Sequence, residues 1–122
     1  MNLFILAAGK GERLWPLTKN TPKSLLDLGD GTTLLNRQLS SAINSKIFNE
    51  IFLITGYLHE KIEEAIKKYQ SSVNINTIYN PFYDITNNLV SLWTARCELS
   101  KDDFMITNGD NLYKNHVVKK SF

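Results

Sequence analysis

Residues 5–26 read ILAAGKGERLWPLTKNTPKSLL. An apolar run breaks at Gly9 and Gly11, and a charged loop follows that carries Arg13, Pro16, Pro22 and Lys23. Traced backward, the run starts at Asn2, so residues 2–7, NLFILA, read as a short buried strand closed by a glycine turn.

Downstream, the pattern alternates. Leu35, Leu39, Ala42, Ile43 and Ile47 fall at helical spacing within residues 33–47. Residues 50–55, EIFLIT, form a second strand ending at Gly56. Leu58, Ile62, Ala65, Ile66 and Tyr69 make one stripe of a helix over 58–69, in which Glu63–Lys67 and Glu64–Lys68 stand four apart in the favourable order. Residues 74–79, NINTIY, are a weaker third strand closed by Asn80-Pro81. A helix over 88–99 with Leu89, Leu92, Trp93, Arg96 and Leu99 leads to a fourth strand over 103–107, DFMIT. Strands alternating with helices imply an α/β fold, a parallel sheet with right-handed crossovers and helices on both faces. Ligands of such sheets bind beyond the carboxyl ends of the strands, where the loops after residues 7, 55, 79 and 107 lie.

The 122 residues suggest one domain, and 43% apolar composition is enough for a core. Lys and Arg number 14 against 12 Asp and Glu, a net charge of +2 that is too mild to argue for nucleic acid. One cysteine, Cys97, cannot form an internal disulfide and is expected to be a buried inert thiol. The N-terminal apolar run lacks a positive flank and is too short for a leader or a membrane span, so no membrane partner is expected and the cytoplasm is the expected compartment. His59 and His116 lack metal-ligand spacing and are expected on the surface. Trp15, Tyr79, Phe82, Tyr83 and Trp93 are expected to pack rather than to stack on a ligand.

Gly9 and Gly11 can adopt backbone angles closed to other residues and let main-chain N–H groups approach a phosphate. The dinucleotide fingerprint would need glycine at position 14, which is Leu14, and the Walker pattern is absent. Arg13 and Lys23 on a proline-stiffened loop supply two cations suited to a polyphosphate. Asn-Gly-Asp-Asn after the fourth strand places Asp110 in a turn-forming stretch on the same rim.

The stretch LAAGKGERLWPLTKNTPKSLLDLG closely resembles the signature of the nucleotidyltransferases that activate sugar phosphates and related phosphates. Leu6, Ala7, Ala8, Gly9, Gly11, Arg13, Leu14, Pro16, Thr18, Pro22, Lys23, Leu25 and Gly29 match that signature. The resemblance implies a three-layer α/β/α Rossmann-like parallel sheet of the nucleotide-diphospho-sugar transferase type, with residues 1–122 forming its nucleotide-binding N-terminal part. It implies that Leu6, Ala7, Ala8 and Gly9 line base and ribose, that Gly11 lets the loop wrap the triphosphate, and that Arg13 holds the departing pyrophosphate. Lys23 would reach the α-phosphate and the acceptor phosphate, and Asp110 would bind Mg²⁺. A second metal-binding aspartate and most of the acceptor pocket are implied beyond Phe122. The sheet is accordingly expected to be incomplete, the chain to be a fragment or truncated product, and catalysis by these residues alone is not expected.

Residues 79–95, YNPFYDITNNLVSLWTA, are similar to the cytidylyltransferases that activate phosphocholine and phosphoglutamine. That resemblance implies transfer of CMP from CTP to a small phosphorylated acceptor, with pyrophosphate released, in cell-surface polysaccharide (capsule) biosynthesis. Asn87 is a candidate helix cap, and Asn80, Asn88 and Ser91 are candidates for contacting the nucleotide, with helix capping alone left open for Asn88 and Ser91. Two other readings stay open: a sugar-1-phosphate nucleotidyltransferase using UTP or dTTP, and a truncated, non-catalytic nucleotide-binding module.

Overall fold

The computed structural model describes residues 1–83, 93, 95–99 and 101–108. Strand β1 spans Asn2–Ala7, helix α1 Leu34–Ser45, β2 Glu50–Thr55, helix α2 His59–Ile66, β3 Asn74–Tyr79, the short helix α3 Arg96–Leu99, and β4 Phe104–Asn108. Three 3₁₀ turns, Glu12–Leu14, Lys23–Leu25 and Lys67–Tyr69, complete the described elements. Most of the helix expected over 88–99 lies outside the described residues.

The four strands are all parallel in the order β3-β2-β1-β4. Alternation along the central strands serves both faces, because a strand turns successive side chains to opposite sides. Leu3 and Ile5 of β1, Ile51 and Leu53 of β2 and Ile75 of β3 join Leu35, Leu39 and Ala42 of α1 and Ile62 and Ile66 of α2 in one core. Phe4, Phe52 and Ile54 form the second core on the other face with Ala95, which stands just before α3. The Phe4 and Phe52 rings stack there at 4.9 Å. α1 and α2 therefore cover one face, and on the other Ala95 is the described residue beyond the sheet that packs against Phe4, Phe52 and Ile54.

α1 starts one residue later than its periodicity suggests because Thr33 is its cap. The Thr33 hydroxyl accepts from the Asn36 N–H at 3.1 Å, and Asn36 Oδ1 accepts from the Thr33 N–H at 3.2 Å, a reciprocal capping box. The helix ends at Lys46, whose φ of 59° turns the chain out of the helix without a glycine. The 58–69 stripe divides into α2 and the tighter turn Lys67–Tyr69. In a 3₁₀ turn residues three apart eclipse. Lys67 accordingly pairs with Glu64 at 2.8 Å rather than with Glu63, which faces His59 instead.

Register puts all four carboxyl ends on one rim: Ala7 is opposite Thr55, Thr55 opposite Tyr79, and Leu6 opposite Asn108. The chain steps outward from β1 to β3, then returns across the sheet to β4 on the far side of β1. The winding direction thus reverses between β1 and β4, the place where open α/β sheets leave a crevice for ligands. The glycine loop leaves β1 at that point.

Candidate active site

Gly11 has φ 66° and ψ 43°, left-handed angles that a side chain disfavours, and it begins the turn Glu12–Leu14. A Cβ there would lie 3.0 Å from Thr18 Cγ2 and 3.2 Å from Lys23 Cβ, so the chain closes tightly around this glycine. Gly9 differs from the expectation. Its φ is not positive, and a Cβ on it would meet nothing within 4 Å. Gly9 borders open space, whereas Gly11 is the bend.

The loop between them and Lys23 is internally bonded. Leu14 N–H donates to Gly11 O at 3.0 Å, Leu17 N–H to Leu14 O at 2.8 Å and Lys19 N–H to Pro16 O at 3.0 Å. The Thr18 hydroxyl, fully buried, donates to Gly11 O at 2.9 Å. Buried Pro22 then starts the turn Lys23–Leu25, with Leu25 N–H on Pro22 O at 2.9 Å and Ser24 buried beneath it. Proline's fixed φ sets the direction in which the backbone enters the turn that carries Lys23. Arg13 stands exposed on the turn Glu12–Leu14, two residues past the bend. The structure thus brings Gly11, Arg13 and Lys23 to one loop at the carboxyl end of β1. A guanidinium fork and an ammonium point charge beside exposed main chain can hold phosphate oxygens.

Leu6 and Ala7 are half-buried ends of β1, packed against the two cores on opposite faces. Ala8 is buried and its carbonyl accepts from Tyr57 N–H at 3.0 Å. Asn80 is wholly buried, and its Oδ1 accepts from Phe82 N–H at 2.9 Å, shaping the turn after β3. Its amide oxygen is thus given to the chain itself rather than to open space on the rim. Asn87, Asn88, Ser91 and Asp110 lie outside the described residues. β4, which leads toward Asp110, ends at Asn108 opposite Leu6. Among the described residues, no three of His, Cys, Asp and Glu gather as a metal site, and no helix is long and apolar enough to cross a membrane.

Several expectations about packing are corrected. Trp15, Tyr79, Phe82 and Trp93 are 57%, 43%, 58% and 62% exposed, so they lie outside the core. Trp93 is covered on one ring face by the Arg96 guanidinium, 3.8 Å from its centroid. Cys97 is exposed, not buried. For Trp93 and Cys97, helical periodicity does not say whether another layer covers the residue; Trp15 and Phe82 stand on loops, and Tyr79 ends β3, the outermost described strand on its side of the sheet.

Sequence reasoning gives no task to Thr18, Gly56 or Tyr57, yet all three build this rim. A Cβ on Gly56 would lie 2.4 Å from Tyr83 Cβ and 2.8 Å from Ala8 O, so glycine is required here by close approach. Tyr57 then reaches the far side of the glycine loop, its hydroxyl 2.8 Å from Thr18 O and 2.9 Å from Lys19 O. Gly-Tyr directly after an apolar strand on the ligand rim is the signal that could have drawn attention to them.

An all-parallel sheet with a glycine-bent loop at its switch point defines an open α/β protein. The chain belongs to the nucleotidyl transferase family, whose model matches residues 3–120, and its fold is that of the nucleotide-diphospho-sugar transferases. It is 43% identical to a choline-phosphate cytidylyltransferase of Haemophilus influenzae over 98% of this chain and 48% of that protein. It is 32% identical to a CTP:phosphoglutamine cytidylyltransferase of Campylobacter jejuni over 98% of this chain and 47% of that protein. The solved structure of CTP:phosphocholine cytidylyltransferase from Streptococcus pneumoniae superposes with a TM-score of 0.74 at 33% identity, covering 94% of this chain and 49% of that one. The chain spans about half the length of each of these relatives.

Proposed function

We propose that the protein to which this chain belongs is a Mg²⁺-dependent cytidylyltransferase. It moves CMP from CTP to a small phosphorylated acceptor of the phosphocholine or phosphoglutamine kind, in the cytoplasm, for modification of cell-surface polysaccharide. Residues 1–122 supply the nucleotide-binding part. Similarity to the two classes of cytidylyltransferase supports the choice of CTP. The observation that carries the reading is the clustering of Gly11, Arg13 and Lys23 on one loop at the switch point of the sheet.

In this reaction an oxygen of the acceptor phosphate forms a bond to the α-phosphorus of CTP, and the bond from that phosphorus to the β-phosphate bridging oxygen breaks. The acceptor is already ionised, so no general base is required. The protein must align two anions and offset their charge. Arg13 holds the β- and γ-phosphates that leave together. Lys23, on the turn that Pro22 starts, neutralises the α-phosphate as charge gathers on it. Asp110 would hold Mg²⁺, which typically takes one or two carboxylates alongside phosphate oxygens. Bound there, the ion would offset phosphate charge.

Titration of the chain with CTP, UTP, dTTP and ATP in the presence of Mg²⁺ tests the reading. CTP should bind most tightly. Arg13→Ala and Lys23→Ala should each weaken it by about 10- to 100-fold, the worth of one charge-assisted hydrogen bond, and for the exposed Arg13 the unfolding midpoint should be unmoved. Preference for UTP or dTTP would favour a sugar-1-phosphate nucleotidyltransferase, and absence of nucleotide binding would refute the site.

A further inference from the structure

We infer that Tyr57 is a positioning residue for the glycine loop, an assignment that rests on the nucleotide site proposed above. Three loops of the rim converge on it. Its N–H is bonded to Ala8 O, the last carbonyl before Gly9. Its ring lies 6.2 Å from that of Tyr83, in the segment after β3, at 60°. Its hydroxyl reaches across to the carbonyls of Thr18 and Lys19 at 2.8 and 2.9 Å, so a single phenolic proton lies between two acceptors.

That bond fixes the part of the loop that matters. Thr18 is the residue whose hydroxyl donates to Gly11 O and whose methyl would touch any side chain added at Gly11. The connection therefore runs from the end of β2 through Tyr57 to the Thr18 backbone, and through the Thr18 side chain to the bend that carries Arg13. Without the phenol, residues 12–19 would hold their own turn bonds but lose this anchor to the sheet. A loop so released would have to be ordered again whenever a triphosphate arrives, and binding would weaken by that cost.

Tyr57→Phe keeps the ring and removes only the hydroxyl. Two readouts on the full chain decide its role: native-state hydrogen exchange, and titration with CTP and Mg²⁺. The Leu17 and Lys19 amides should exchange about 2- to 12-fold faster, the range expected for one lost hydrogen bond, while the amides pairing β1 with β2 keep their rates. CTP affinity should fall by a similar factor. Thr18→Val should reproduce the loss, and the double variant should lose less than the product of the two, as for residues acting in series. Equal acceleration in the sheet would make Tyr57 a residue of general stability and overturn the inference. So would an unchanged CTP affinity, or multiplicative effects of the two variants. A parent chain that binds no triphosphate would instead refute the nucleotide site, taking this role with it.

Discussion

Gly9 and Gly11 stand two residues apart and serve different ends. Gly11 is needed by the chain: its φ is 66°, and Thr18 and Lys23 press on the place a side chain would take. Gly9 is needed, if at all, by what comes to the loop, because nothing of the protein lies within 4 Å of where its Cβ would be. Alanine separates the two. Gly11→Ala should cost about 1–2 kcal/mol in urea unfolding, the penalty of a left-handed angle, and should weaken CTP as well. Gly9→Ala should leave stability within about 0.5 kcal/mol of the parent yet reduce CTP affinity, since its methyl would project into the open space where the triphosphate is proposed to bind. A Gly9→Ala variant that binds CTP unchanged would remove Gly9 from the site. Both glycines were visible in the sequence as a pair. Which one was bent was not, because that depends on Thr18 and Lys23 folding back over Gly11.

At the scale of elements, the spans of β1, β2 and β3 follow directly from their apolar runs, and Thr33 announces the start of α1. The end of α1 was hidden, since Lys46 takes the left-handed angle usually given to glycine. The hairpin before α1 was equally hidden, because its order comes from side chains bonding backward. Asp27 Oδ1 accepts from the Gly29 and Gly31 N–H groups, and Asp30 accepts from the N–H and hydroxyl of Thr32 and pairs with Arg37 of α1. The bonds from Thr32, then the Arg37 guanidinium, hold the Asp30 carboxyl at about 2, down from 3.8. A folded value below the unfolded one means that ionised Asp30 stabilises the fold above about pH 4, and that this contribution disappears as pH falls toward about 2. Asp30→Asn should therefore lower the urea midpoint at neutral pH, and parent and variant should converge near pH 2. A difference that stays constant across that range would detach the hairpin's stability from this carboxylate.

For the molecule as a whole, parallel pairing could be read from the alternation of strands and helices, but strand order could not, because it is set by which edges meet across long separations. The clamp between Tyr57 and Lys19 was illegible for the same reason. Gly56 marks where three of the rim loops are pressed together, Ala8 and Tyr83 both lying within 3 Å of a Cβ placed there. Gly56→Ala should cost about 1–3 kcal/mol as an overpacked site and should also weaken CTP, by pushing the loops after β1 and β3 apart. Unaltered unfolding and binding would mean that the loops move aside freely. The order β3-β2-β1-β4 also governs assembly in time. Asn2 pairs with Glu50 on one side and with Phe104 on the other. On the ribosome β1 therefore acquires its first neighbour early and waits, one flank of backbone amides and carbonyls bare, until residues 104–108 have been made. Such distant closure is slow, and an unpaired flank invites foreign strands meanwhile. The strand that bears the glycine loop is thus the one whose open flank a nascent chain exposes longest.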